Sequence, residues 1–136
     1  MDATELMVSS VVVTSPDASI AEALRLLEDT GVRHLPVIED GRVVGMLSDR
    51  DLREYRLPVT DELRLPRLAD DLAARPVADA MNRVFVFVDH LESVAKAVEL
   101  MIEYSVGAVP VLHRGTGKLL GMISYVDVLK FVLPTL

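Results

Sequence analysis

Hydrophobic positions along the chain switch between a period of two and a period of three to four, and they do so twice in the same order. The run Val11-Val12-Val13-Thr14 is short, rich in β-branched residues and bounded by turn formers, which predicts a strand. Behind it, Ile20, Ala23, Leu24 and Leu27 fall on one face of a helix. Ser19, with Glu22 three places later, supplies a capping-box start. Gly31 suits the left-handed position just past that helix's end. Two further apolar runs, Leu35 to Ile38 and Val43 to Leu47, are joined by Glu39-Asp40-Gly41-Arg42 and predict a hairpin, after which a last helix begins near Ser48. The same order returns downstream. Val84 to Val88 predicts a strand, and Val94, Ala97, Val98 and Met101 form a helical face whose Lys96 lacks the capping partner. Val109 to Leu112 pairs with Leu119 to Ile123 in a second hairpin, and a final helix begins near Ser124.

The two passages are copies. Gly45-Met46-Leu47-Ser48-Asp49-Arg50-Asp51 recurs 76 residues later as Gly121-Met122-Ile123-Ser124-Tyr125-Val126-Asp127, and Pro36-Val37 recurs 74 residues later as Pro110-Val111. The two-residue difference is absorbed in the longer second turn, His113 to Lys118. Five of the 13 positions in 41–53 and 117–129 are identical, where common residues at about 7% each predict roughly one match by chance. Each copy reads β-α-β-β-α with one apolar sheet face, a unit of marginal stability alone. The predicted fold is therefore α+β: a tandem pair of β-α-β-β-α repeats related by a pseudo-twofold axis, forming a single module over 1–136. Repeat one spans about 6–54, a connecting segment about 55–78, and repeat two about 79–133. The connecting segment carries Pro58, Pro66 and Pro76 and predicts a loop with a short helical piece from Leu68 to Ala74.

Composition narrows the function. With 51% hydrophobic and 26% charged residues, the 136-residue chain can build a core without staples. The absence of cysteine removes disulfides and thiol chemistry. The start Met1-Asp2-Ala3-Thr4-Glu5 is not a signal peptide, and the purest apolar run, Val84 to Val88, is too short for a bilayer. A net charge of −7 argues against nucleic-acid binding, which depends on phosphate neutralisation. These readings predict a cytoplasmic protein with no nucleic-acid and no membrane partner. No nucleophile elbow, zinc-protease helix or phosphate loop occurs, and the histidines lack metal-ligand spacing. We therefore expect no catalytic residues, no metal site and no enzyme; His90 and His113 are assigned no function.

The tandem repeats, each with an x-h-P-V strand and a G-h-h-[ST]-x-x-D ending, resemble a cystathionine β-synthase (CBS) domain pair, also called a Bateman module, from about Leu6 to Leu133. The resemblance implies two clefts between the repeats that bind adenine nucleotides or other adenosyl ligands: AMP, ADP, ATP or S-adenosylmethionine, with no cofactor required. It implies that the motif aspartate accepts hydrogen bonds from ribose hydroxyls and that the preceding serine lies near the phosphate. Site one would then comprise Val32, Arg33, His34, Ser48, Arg50, Asp51 and Val88. A weaker site two would comprise Thr14, Val106, Gly107, Ser124 and Asp127. Arg33, His34 and Arg50 have Gly107, Ala108 and Val126 as their counterparts, so only site one has side chains to contact phosphates through charge-assisted bonds. The resemblance also implies a homodimer. Since the chain leaves no room for an effector domain, it implies signalling through an effector protein in trans or through self-association. The last helix, with Val126, Leu129, Val132 and Leu133, offers an apolar stripe for that contact, or one that packs within the monomer.

Each of these residues also has a purely structural reading. Ser48 with Asp51, and Ser124 with Asp127, fit S-x-x-D capping boxes that start helices without any ligand. Arg33 and Arg50 can be solvated or paired with acids such as Asp49, and His34 can be half-buried beside its strand. Met46, Met101 and Met122 sit at core-facing positions. Gly45 and Gly121 suit close backbone approach. The competing function is a nucleotide-free scaffold or dimerisation module.

Overall fold

The computed structural model describes residues 1–136. They divide into two compact units, one of Val12–Asp40 with Val44–Val84, the other of Met1–Val11, Gly41–Val43 and Phe85–Leu136.

In the first unit, helix α2 (Ile20–Thr30) starts where Ser19 Oγ accepts the Glu22 N–H at 3.1 Å, and it stops at Gly31, whose φ of 74° is left-handed. (Helix α1, Ala3–Leu6, belongs to the second unit.) α2 buries Ile20, Ala23 and Leu27, the face its spacing predicts. Strands β1 (His34–Glu39) and β2 (Arg42–Ser48) form the hairpin. Its turn places both Asp40 (φ 52°) and Gly41 (φ 78°) in left-handed conformations, the pairing whose twist matches the strands. Leu35, Val37, Leu47 and Leu52 complete the centre of this core.

Three expectations change here. Val11 to Thr14 is not a strand: Thr14 alone bridges Val37 in parallel, donating its N–H to Pro36 O and accepting from Ile38 N. Pro16, two residues on, has no N–H to extend the ladder. The helix after Ser48 is a 3-10 helix, Arg50–Tyr55; Pro58 follows closely and turns Leu57 away from helical geometry. The connecting segment is more helical than predicted, with α3 (Val59–Arg64) and α4 (Pro66–Ala74). Pro66 stands in the first turn of α4, where its missing N–H costs nothing.

The second unit has β3 (Val88–Asp89) parallel to β4 (Ala108–Leu112), which is antiparallel to β5 (Leu119–Ser124). Val84 to Phe87, predicted as strand, stay outside the sheet, and Val84 is 86% exposed. Helices α5 (Val94–Tyr104) and α6 (Tyr125–Val132) complete the repeat. Its core gathers Val88, Ala97, Met101, Val109, Val111 and Ile123. No helix of the chain is long and apolar enough to cross a membrane.

The units do not follow the order of the repeats. Residues 1–11, which lead into and begin repeat one, cluster with repeat two, and residues 77–84, which end the connecting segment and begin repeat two, cluster with repeat one. Ala3 is fully buried in the second core and Val77 in the first. Asp2 bridges Ser93 while Pro76 bridges Ser19, and Val8 bridges Met122 while Asn82 bridges Met46. Ala3 and Val77, like Met7 and Met81, are 74 residues apart, so the duplication extends into these arms. The arms explain two glycines. A Cβ on Gly45 would lie 3.1 Å from Asn82 O, and one on Gly121 would lie 2.7 Å from Val8 O.

Candidate functional site

The site-one residues other than Val88 lie in the first unit, where α2 ends, β1 begins and the hairpin leads into the 3-10 helix. Ser48 and Asp51 close on each other. Asp51 Oδ2 accepts the Ser48 N–H at 2.8 Å and the Ser48 hydroxyl at 2.9 Å, while Ser48 Oγ accepts the Asp51 N–H at 3.2 Å. The box fixes the carboxylate by one oxygen. Asp51 Oδ1 takes no hydrogen bond within the chain, so its lone pairs remain available to a donor.

The same unit carries positive side chains. Arg33 and Arg50 are exposed and neither forms an ion pair, so the reading in which Asp49 neutralises them does not hold. His34, the first residue of β1, is half-buried. Its pKa lies below the ordinary imidazole value, chiefly because burial penalises the charged ring; nearby Asp51 opposes the shift and Arg33 adds to it.

A pocket of about 200 Å³ opens beside these groups, between the C-terminal end of α2 and the start of β1. Leu24, Leu27 and Val32 make its apolar floor. Arg33, Asp49 and the Glu28–Arg56 ion pair, 2.9 Å long, make its rim. Pockets for drug-sized ligands typically measure about 300–1,000 Å³, so this one is smaller than such a site. Of the predicted site residues it brings together Val32 and Arg33; His34, Ser48, Arg50 and Asp51 do not line it. Leu24 and Leu27 were legible only as a core-facing helical stripe, and the spacing carries no signal for Arg56.

The remaining predicted residues fall differently. Val88 belongs to the second unit and is fully buried in its core, so its side chain offers a ligand nothing, and only backbone groups remain. Thr14 is assigned by resemblance to site two yet lies in the first unit. It is 8% exposed, and its hydroxyl is the one buried side-chain polar atom with no hydrogen-bond partner. Such a group costs about 1–3 kcal/mol unless something outside the chain satisfies it. In the second unit, Ser124 and Asp127 repeat the box at 2.9, 2.9 and 3.3 Å. Val106 and Gly107 are half-buried beside it, and Tyr125 donates its N–H to Gly107 O. Neither Gly107 nor Val126 can supply charge there. No group of three or more histidine, aspartate or glutamate side chains is placed to hold a metal.

An S-x-x-D box repeated in each of two duplicated α/β units defines a class, and comparison with known proteins agrees. The sequence pattern of the CBS domain matches residues 3–58 and 77–134, and the chain belongs to the CBS domain family. It is 31% identical over 137 residues to a CBS domain-containing protein of Dictyostelium discoideum, across 97% of this chain and 91% of the relative. A Methanocaldococcus jannaschii relative, 28% identical over 134 residues, is longer: the alignment covers 95% of this chain but 31% of that protein. Among solved structures, the CBS-pair protein CBSX2 from Arabidopsis thaliana superposes with a TM-score of 0.83 at 28% identity, over 98% of this chain and 95% of its own. CBSX2 has also been solved in complex with AMP; there the TM-score is 0.80 at 27% identity, over 98% and 97% of the two chains. The α+β tandem repeat expected from the pattern is the architecture observed.

Proposed function

We propose that this chain is a regulatory module that senses adenine nucleotides or related adenosyl ligands, with Asp51 as the ribose acceptor. Val32, Arg33, His34, Ser48, Arg50 and the backbone at Val88 are the other members of site one. The observation that carries the reading is the Asp51 carboxylate: one oxygen is locked by Ser48 and the other takes no bond within the chain, while Arg33 and Arg50 of the same unit are free of any ion pair. A vicinal diol needs such an acceptor, and a phosphate needs such donors. The AMP complex of CBSX2 supports the ligand class.

Site two, with Thr14, Val106, Gly107, Ser124 and Asp127, has the acceptor without the guanidinium groups. It is the weaker site for phosphates and suits an adenosyl group that carries none, with S-adenosylmethionine as a candidate ligand. Isothermal titration of AMP, ADP and ATP tests both assignments. Asp51→Ala is expected to lose about tenfold to a hundredfold in affinity, the loss of roughly 1.5–3 kcal/mol of bonding to a charged group. Asp127→Ala is expected to change phosphate-ligand affinity little. Equal losses would contradict the asymmetry, and no binding by the wild-type protein would favour the scaffold reading. Ligand occupancy passes to an effector protein in trans or to a second copy of the chain by reciprocal linkage, usually about 1–3 kcal/mol. A cytoplasmic location fits the ligand class.

A further inference from the structure

The second unit carries a polar cluster that the proposed function does not use. The register of β3 on β4 sets Asp89 opposite Leu112, and the His90 N–H continues it by one rung to Leu112 O at 3.0 Å. The next residues on each side, His90 and His113, are thereby brought ring to ring. Their centroids are 4.6 Å apart and their planes differ by 15°.

Both rings are tied down by the same nitrogen. His90 Nδ1 accepts the Arg114 N–H at 3.2 Å, and His113 Nδ1 accepts the Gly115 N–H at 3.1 Å. A backbone N–H can only donate, so each Nδ1 is bare and each neutral ring carries its proton on Nε2. That tautomer leaves neither ring a free Nε2 lone pair for a metal. It also makes the two hydrogen bonds conditional: a ring that gains a proton at Nδ1 turns an acceptor into a donor facing a donor, and the bond is lost. Two charged rings at this separation would in addition repel each other.

The charged groups on the segments that meet at the pair are Asp89 at the end of β3, Glu92 in the β3–α5 connection, Arg114 and Lys118 in the β4–β5 turn, and Arg42, which bridges Lys118. The Arg114 Nε–Asp89 Oδ2 ion pair, at 2.8 Å, spans the same two segments but needs no histidine. We infer that the stacked His90–His113 pair is a proton-operated latch on the 113–118 turn: while both rings are neutral it holds the Arg114 N–H from His90 and the Gly115 N–H from His113, and on protonation it gives up both bonds and loosens the turn, with the Arg114–Asp89 pair still in place.

Nitrogen-15 NMR of the imidazoles, combined with amide exchange corrected for its intrinsic pH dependence, tests this on the full chain. Neutral rings are expected to show the Nε2–H tautomer. As they protonate, protection of the Arg114 and Gly115 amides should fall by about threefold to tenfold, the equilibrium weight of one net hydrogen bond. The Met122 amide, bonded to Val8 O in the same unit, should not change. His90→Phe keeps a ring in the stack and removes one acceptor; Arg114 should then exchange fast at every pH, while Gly115 keeps its pH response. An Nδ1–H tautomer in either neutral ring would overturn the latch. So would unchanged protection on protonation, or rings that stay neutral until the protein unfolds in acid.

Discussion

Single residues carry more of this structure than their types announce. Ser105 ends α5 in a left-handed conformation, φ 54°, where the equivalent end of α2 has Gly31. A residue with a Cβ pays roughly 1–2 kcal/mol there. Ser105→Gly is expected to raise unfolding free energy by about 1 kcal/mol in a denaturant titration. Gly121 is the opposite case, because an added Cβ would stand 2.7 Å from Val8 O, a backbone atom that cannot rotate aside. Gly121→Ala should destabilise by about 1–3 kcal/mol or displace the N-terminal arm, read as a lowered urea midpoint. His34 adds a pH dependence. Its folded pKa is depressed by burial, so the unfolded chain takes up the proton first. Stability is then full above the ordinary histidine value of about 6.5 and declines as pH falls below it. His34→Gln should flatten that part of a stability profile measured between pH 7.5 and 5.

At the scale of elements, the legible parts were those fixed by local chemistry. The face of α2, its Ser19 cap and Gly31 stop, and the Asp40-Gly41 turn each follow from neighbouring residues, and each is present. The strands ahead of the helices were misread because β-branched composition reports a preference for extended backbone, not the presence of a partner. Thr14 finds one rung, and Val84 finds none. The helix after Ser48 ends at Tyr55, short of Pro58, a residue outside the motif that predicted it. For the site, the Ser-Asp boxes were legible because three-residue spacing dictates their bonds. The pocket was not, since Glu28, Asp49 and Arg56 meet there through tertiary folding alone.

At the scale of the whole molecule, one run of exposed apolar side chains lies at the C-terminal end. Leu129 is 59% exposed, Phe131 51% and Leu133 66%, in or just after α6. A homodimer through this stripe is the expected use. Light scattering on a size-exclusion column should report a dimer for the wild-type chain and a monomer for Leu129→Asp with Leu133→Asp, with circular dichroism unchanged. A monomeric wild type at micromolar concentration would remove self-association as the output.

The exchanged arms also decide where the polypeptide can be cut. A fragment ending at Pro76 would retain every repeated motif of the first repeat and still lack Val77 and Met81 from its own interior, while carrying eleven leading residues suited to a neighbour it no longer has. Each half of the gene therefore encodes a keystone for the other, and neither is a domain that can be borrowed separately for another protein.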